Sequence, residues 1–199
     1  KKCGFCFVTA YDSSFNCRIW QQSFFAFVLK LLALKSLWVN DMKFGASTAC
    51  FYPLETEKAL KKVCELGYKY AEVFMNAPSE LEEPFLKQLN TIAKDGGTDI
   101  VSVHPFSSFM ESSCIFTDYQ RRFDDFISIY DKTCHAAAVL GAEYVVIHGA
   151  VAHPKIPIPD ERYFDRFNKL IEIGKREGVT VCQENVNRFK SESIDFCKK

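Results

Sequence analysis

The chain carries no surplus of either charge: 25 Lys and Arg balance 25 Asp and Glu. Nucleic-acid binders usually show a basic excess, so this balance argues against a nucleic-acid partner. Nor is there an uninterrupted apolar run near the ~20 residues that a spanning helix needs. The most apolar stretch, Phe24-Phe25-Ala26-Phe27-Val28-Leu29-Lys30-Leu31-Leu32-Ala33-Leu34, is broken by Lys30 and followed by Lys35. No small-residue cleavage site follows Leu37-Trp38-Val39, which counts against a signal peptide. A Gly-rich phosphate loop is also missing. Gly45-Ala46-Ser47-Thr48 lacks the spacing, and an open doubly wound nucleotide-binding sheet is disfavoured.

Cysteine is plentiful, at nine, but the number is odd and the chain is neither short nor loop-rich. Cys64 and Cys134 fall in helical patterns and Cys182 in a strand, so free buried thiols in a reducing, cytoplasmic setting are expected rather than a disulfide framework. Cys3 and Cys6 have CxxC spacing, yet no second pair follows at zinc-ribbon distance.

Residues 1–41 differ from the remainder. They are rich in Phe, Cys and Trp and show no clean strand or cap. Met42 reads as a natural start, with residues 1–41 as a non-homologous extension. A membrane-associated segment is the alternative. From residue 42 a strand–helix pattern repeats. Lys43 to Cys50 reads as a strand, and Pro53 opens a helix over Leu54 to Leu66 with Ala59, Leu60, Val63 and Leu66 on one face. Strand Tyr70 to Phe74 precedes a helix from Ser79 to Lys94, with Ser79 and Glu82 as a capping box. Strand Asp99 to His104 and a loop to about Phe116 lead to a helix from Asp118 to Leu140. Strand Glu143 to His148, a Pro-rich loop and helix Asp160 to Glu177 follow. The strand Thr180 to Val186 reads as short and buried, and Ser191 to Lys199 as a helix beginning.

Alternation of this kind implies parallel strands with right-handed crossovers. Strand spacings of roughly 25 to 45 residues suit βα units. The fold class is therefore α/β, a partial (β/α)8 TIM barrel. About five βα units are present of the eight that fill about 250 residues, and the C-terminal strands are expected to be missing.

In such a barrel the C-terminal strand ends form the active-site face. His104, His148 and Glu184 each end a strand there, after apolar residues and without a sequence-local partner. Glu184 can ligate a divalent cation or take a proton from carbon, and a histidine can ligate, donate to a sugar oxygen or shuttle a proton. Glu72 shares a face with Phe74 and approaches the same mouth if that face is the interior. His153 follows the fourth of these strands and is expected in solvent; His135, in mid-helix, is expected to pack. The charged faces Lys58, Lys61, Lys62, Glu80, Glu82 and Glu83 read as solvated surface.

The order of Ser102-Val103-His104-Pro105-Phe106, Val145-Val146-Ile147-His148-Gly149 and Gln183-Glu184-Asn185 resembles the xylose isomerase-like TIM barrel superfamily, over residues 42–199. That group includes sugar phosphate isomerases and epimerases, inosose dehydratases and isomerases, and endonuclease IV. The resemblance implies that Glu184 is a metal ligand and acid/base. It implies that His104 and His148 lie over the substrate, His104 as a catalytic and His148 as a substrate-binding residue, and that in the endonuclease branch the two histidines ligate zinc. Glu72 is expected to bind substrate from its place on the interior face alone. A divalent cation (Mn, Mg or Zn) and a small sugar or sugar phosphate are its implied cofactor and partner. Three further ligands, an aspartate, a histidine and a second glutamate, come from later strands in the family. The reading is a metal-dependent sugar or sugar-phosphate isomerase or epimerase working through an enediolate. An endonuclease IV-like phosphodiesterase and an inactive barrel fragment are the alternatives.

Overall fold

Six strands lie side by side in chain order, each parallel to its neighbour: β1 (Phe5–Val8), β2 (Lys43–Ser47), β3 (Tyr70–Phe74), β4 (Asp99–His104), β5 (Tyr144–Ile147) and β6 (Thr180–Gln183). The structure, a computed structural model, describes residues 5–8, 43–107, 110–152 and 158–199. Between the strands run helices α1 (Thr56–Glu65), α2 (Glu83–Gly96), the one-turn α3 (Glu111–Cys114), α4 (Gln120–Val139) and α5 (Asp160–Glu177), and α6 (Ile194–Cys197) follows β6. A sheet whose order never reverses has no switch point of the doubly wound kind; it is the wall of a barrel.

Residue parity along the strands decides what each face carries. Ala71 and Val73 on β3, Val103 on β4, and Val145 and Ile147 on β5 point to the helical layer and are fully buried. They meet Leu60 and Val63 of α1, Leu86 and Leu89 of α2, Tyr130 and Cys134 of α4, and Leu170 of α5, all at 1% exposure or less. Full burial of such side chains contributes about 1.5–3 kcal/mol each. The other parity carries Glu72, Ser102, His104, Tyr144 and Val146 on the barrel-interior face, with His148 and Glu184 continuing it just past β5 and β6.

Several boundaries differ from the sequence expectation, each for a local reason. The strand expected over Lys43 to Cys50 stops at Ser47, whose hydroxyl accepts the Ala49 amide and starts a 3-10 turn over Thr48–Phe51. Ser79 and Glu82 form no capping box: Pro78–Leu81 is a 3-10 turn and α2 begins at Glu83. Pro84 explains this, because proline is tolerated only in the first turn of a helix. Leu66 caps α1 and is 56% exposed rather than on the buried face. The region Ser191 to Lys199 divides into a 3-10 turn, Lys190–Glu192, and α6. The strand β6 is at the edge of the sheet and only half-buried, not buried.

His135 does not pack in the core. It stands in solvent on α4, with Nδ1 at 3.1 Å from Glu177 and Nε2 at 3.5 Å from Glu83. Glu80, expected in solvent, is half-buried and accepts from the Thr56 hydroxyl and the Asn76 amide. Cys64, Cys114, Cys134 and Cys197 are free thiols. The sequence did not announce β1, which lies within the expected extension and pairs with β2 from Phe5↔Lys43 to Val8↔Ala46. Met42, Cys3, the apolar run 24–34 and His153 lie outside the described residues. Among the described residues no helix is long and apolar enough to cross a membrane.

Candidate active site

His104, His148 and Glu184 converge. His104 Nε2 is 3.0 Å from His148 Nε2, His148 Nε2 is 2.9 Å from Glu184 Oε2, and His104 Nε2 is 3.4 Å from the same oxygen. Each side chain reaches this point by position alone. His104 is the last residue of β4, His148 follows β5 by one residue, and Glu184 follows β6 by one. All three therefore emerge on the interior face at the C-terminal end of the sheet.

Neighbouring groups fix the two rings. The His104 ring stacks on Phe74 with centroids 4.4 Å apart, and its Nδ1 is 3.2 Å from the Pro105 carbonyl. A carbonyl only accepts, so Nδ1 carries a proton, and in the neutral ring Nε2 presents a lone pair to the centre. The His148 ring meets His104 edge-on at 4.6 Å and Phe189 edge-on at 5.5 Å. Phe189 is brought there by a short bridge to Val151, which ties the loop after β5 to the loop after β6.

Electrostatics follow from this crowding. Burial by itself would raise the Glu184 carboxyl, but hydrogen bonds and charge from His104 and His148 hold it down to about 2. Burial lowers His104, and Glu184, Glu72 and Glu111 together more than offset that, for a net rise. Glu184 remains 35% exposed, so it is better hydrated than its strand-end position suggested.

The donor set suits a divalent cation. Nitrogen and oxygen ligands about 2.0–2.2 Å from one ion stand about 3 Å apart. The three observed separations lie in that range, and all three atoms belong to a group that could hold a metal ion. Two imidazole lone pairs and a carboxylate directed at one point repel unless a proton or cation sits among them. Three protein ligands with the remaining positions open is the usual catalytic arrangement.

Glu72 lies elsewhere. It is 4% exposed and accepts a 3.2 Å hydrogen bond from Ser102, one pleat below Phe74 and His104. It is thus part of the interior floor under His104 and outside the three-residue centre.

The sequence does not mark two further groups of the site. Glu111, fully buried at the start of α3, accepts from the amides of His148 and Gly149 at 2.9 and 2.8 Å. Burial pushes its carboxyl up to about 8, against the pull of those amides. In the sequence Glu111 stands in a Ser-rich loop, Ser107 to Ser113, with nothing to mark it as buried. Gln183 donates to the His148 carbonyl at 2.7 Å, while its own Oε1 accepts from Tyr163. Nothing in its strand suggested that reach.

Comparison with known proteins places these motifs in context. An uncharacterized protein of Methanocaldococcus jannaschii is 24% identical, across 78% of this chain and 53% of its own length. A D-psicose 3-epimerase from Clostridium cellulolyticum H10, solved with D-tagatose, superposes with a TM-score of 0.62 at 18% identity, covering 79% of this chain and 59% of the epimerase. The 3-keto-D-glucoside 4-epimerase of E. coli gives 0.58 at 18% identity, covering 75% and 58%. Likeness at this identity establishes the barrel, and the chain spans about half the length of the curated relatives it matches. The family described as xylose isomerase-like TIM barrel matches residues 60–198, a span that holds His104, His148 and Glu184, and the chain belongs to that family.

Proposed function

We propose that the protein is a metal-dependent isomerase or epimerase of a small sugar or sugar phosphate, moving a proton at carbon through an enediolate. The observation that carries this reading is the meeting of His104 Nε2, His148 Nε2 and Glu184 Oε2 within 3.4 Å of one another on the open face of the barrel. A divalent cation there would polarise a substrate carbonyl and its neighbouring hydroxyl and so acidify the C–H between them. Glu184, kept ionised by the two histidines, is the group that takes up and returns that proton. His104, its Nδ1–H directed to the Pro105 carbonyl, keeps Nε2 turned to the centre. His148 and the ring of Phe189 form the wall against which a sugar would lie. Glu72 supports this floor through Ser102 rather than by meeting solvent.

The test is deuterium exchange. Purified protein supplied with Mn²⁺, Mg²⁺ or Zn²⁺ should exchange deuterium at the carbon beside the carbonyl of a ketose or ketose phosphate. Bound metal with no exchange on any such sugar would remove the proposal.

One observation favours a second reading, a metal-dependent phosphodiesterase of the endonuclease IV type. Both imidazoles turn Nε2 to the centre, the two-histidine pattern that goes with zinc in that branch by resemblance. The balanced charge of the chain counts against it, because phosphate backbones are held by a basic surface. Nicking of DNA at an abasic site, absent under conditions that give sugar exchange, separates the two.

A further inference from the structure

We propose that Glu111 is a positioning residue: by accepting two consecutive backbone amides it sets where the His148 imidazole stands against Glu184. This rests on the reading of His148 as part of the site. The ladder of β5 ends at Ile147, whose carbonyl accepts from the Glu184 amide. Beyond that point the amides of His148 and Gly149 have left the sheet, and one carboxylate oxygen, Glu111 Oε2, receives both. On the other side of the same residue, the His148 carbonyl accepts from Gln183 Nε2 at 2.7 Å and from the Ser191 hydroxyl at 3.4 Å. Side chains from three separate segments therefore pin the backbone of His148 at both its N–H and its C=O.

A buried carboxyl group is a costly way to meet two amides. Glu111 is fully buried, and its Oε1 has no hydrogen-bond partner among the described residues. A hydroxyl or a backbone carbonyl would satisfy amides at less desolvation cost. What the Glu111 carboxyl adds is a single oxygen shared by adjacent N–H groups at 2.9 and 2.8 Å, which fixes the direction of the peptide plane and hence of Cβ. At His148 that direction decides whether Nε2 arrives 2.9 Å from Glu184 or misses it. Groups that orient a ligand in this way typically contribute about 10–100-fold to metal affinity.

The experiment uses the whole chain, Co²⁺ alone as probe, and the variants Glu111→Leu and Glu111→Gln. Leucine fills similar space and accepts nothing, whereas glutamine retains one oxygen for both amides. Glu111→Leu should weaken Co²⁺ binding about 10–100-fold and alter its visible absorption, while Glu111→Gln stays within about threefold of the parent. Leu170→Ala, a core change in α5 away from the site, should lose stability and leave Co²⁺ affinity unchanged. Parent-like affinity and spectrum in Glu111→Leu would overturn the proposal. Amide hydrogen exchange on the unaltered chain decides it even if Glu111→Leu does not fold or the parent binds no Co²⁺, an outcome that would instead end the metal reading. His148 and Gly149 should exchange as slowly as the β5 amides, and fast exchange at both overturns the clamp.

Discussion

His104 Nε2 and His148 Nε2 stand 3.0 Å apart although they come from strands whose sequences are 44 residues apart. With His104 Nδ1 donating to a carbonyl, a neutral His104 offers only a lone pair to its neighbour. Glu184, within 3.4 Å of both ring nitrogens, supplies negative charge that draws a proton to the pair.

The metal-free protein should carry the signature of that charge in its stability. Glu184 is held down to about 2 from an ordinary 4.5, so its contribution is present above pH 4.5 and lost as pH falls toward 2. His104 is raised from 6.5, so its contribution is present below pH 6.5 and lost as pH rises through its folded value. The pair thus stabilises most between about pH 4.5 and 6.5. Urea melts across pH, in the presence of chelator, should show both limbs, and Glu184→Gln should flatten the acid one.

Glu111 works in the opposite sense for an acid. Its carboxyl is raised from 4.5 to about 8, so the folded protein binds more protons than the unfolded chain between those values. Stability must then fall as pH rises from 4.5 to 8. Glu111→Gln removes the ionisation and keeps an acceptor. Its stability should be nearly flat across that window and exceed the parent's at pH 8 by roughly 2–5 kcal/mol. A parent curve that rises over the same range would refute the burial argument.

Gly149 is irreplaceable for two independent reasons. Its φ is +84°, a conformation that costs any other residue, and a Cβ there would collide with the Tyr163 hydroxyl and crowd the Gln183 amide. Gly149→Ala should lose about 1–3 kcal/mol, read as a lower urea midpoint. The mirror control is Gly67→Ala in the turn after α1. There φ is +78° but nothing lies within 4 Å of the added atom, so only the conformational cost of about 1 kcal/mol applies.

The alternation of apolar strands with capped helices was enough to read the barrel, because burial imposes its period on every residue of such elements. β3 and β4 run over the expected residues, and the parity that brings His104 to the interior is already present in Ser102-Val103-His104. The convergence of Glu184 with both histidines follows from strand order and direction alone. What stayed hidden was long-range and polar. Glu111 serves an amide 37 residues away and Gln183 a carbonyl 35 residues away, and neither leaves a periodic trace. The outward facing of His135 is not legible either, because an isolated histidine in a helix carries no sign of which way it faces, and here two glutamates from other helices meet it in solvent.

Two buried tyrosines on the inner faces of α4 and α5 give opposite expectations for one substitution. Tyr130 is 1% exposed, and its hydroxyl has no hydrogen-bond partner among the described residues. An unmet buried hydroxyl costs about 1–3 kcal/mol, so Tyr130→Phe, which keeps the ring and its packing, should leave stability unchanged or raise it by up to ~1–2 kcal/mol. Tyr163 is equally buried at 2%, but its hydroxyl donates to Gln183 Oε1, and Gln183 in turn holds the His148 carbonyl. Tyr163→Phe should cost about 1–2 kcal/mol and leave Gln183 free to turn away. Because the ring volume is conserved in both variants, packing cannot produce a difference in sign between them. Equal losses in the two urea melts would mean that the Tyr130 hydroxyl is as well bonded as that of Tyr163.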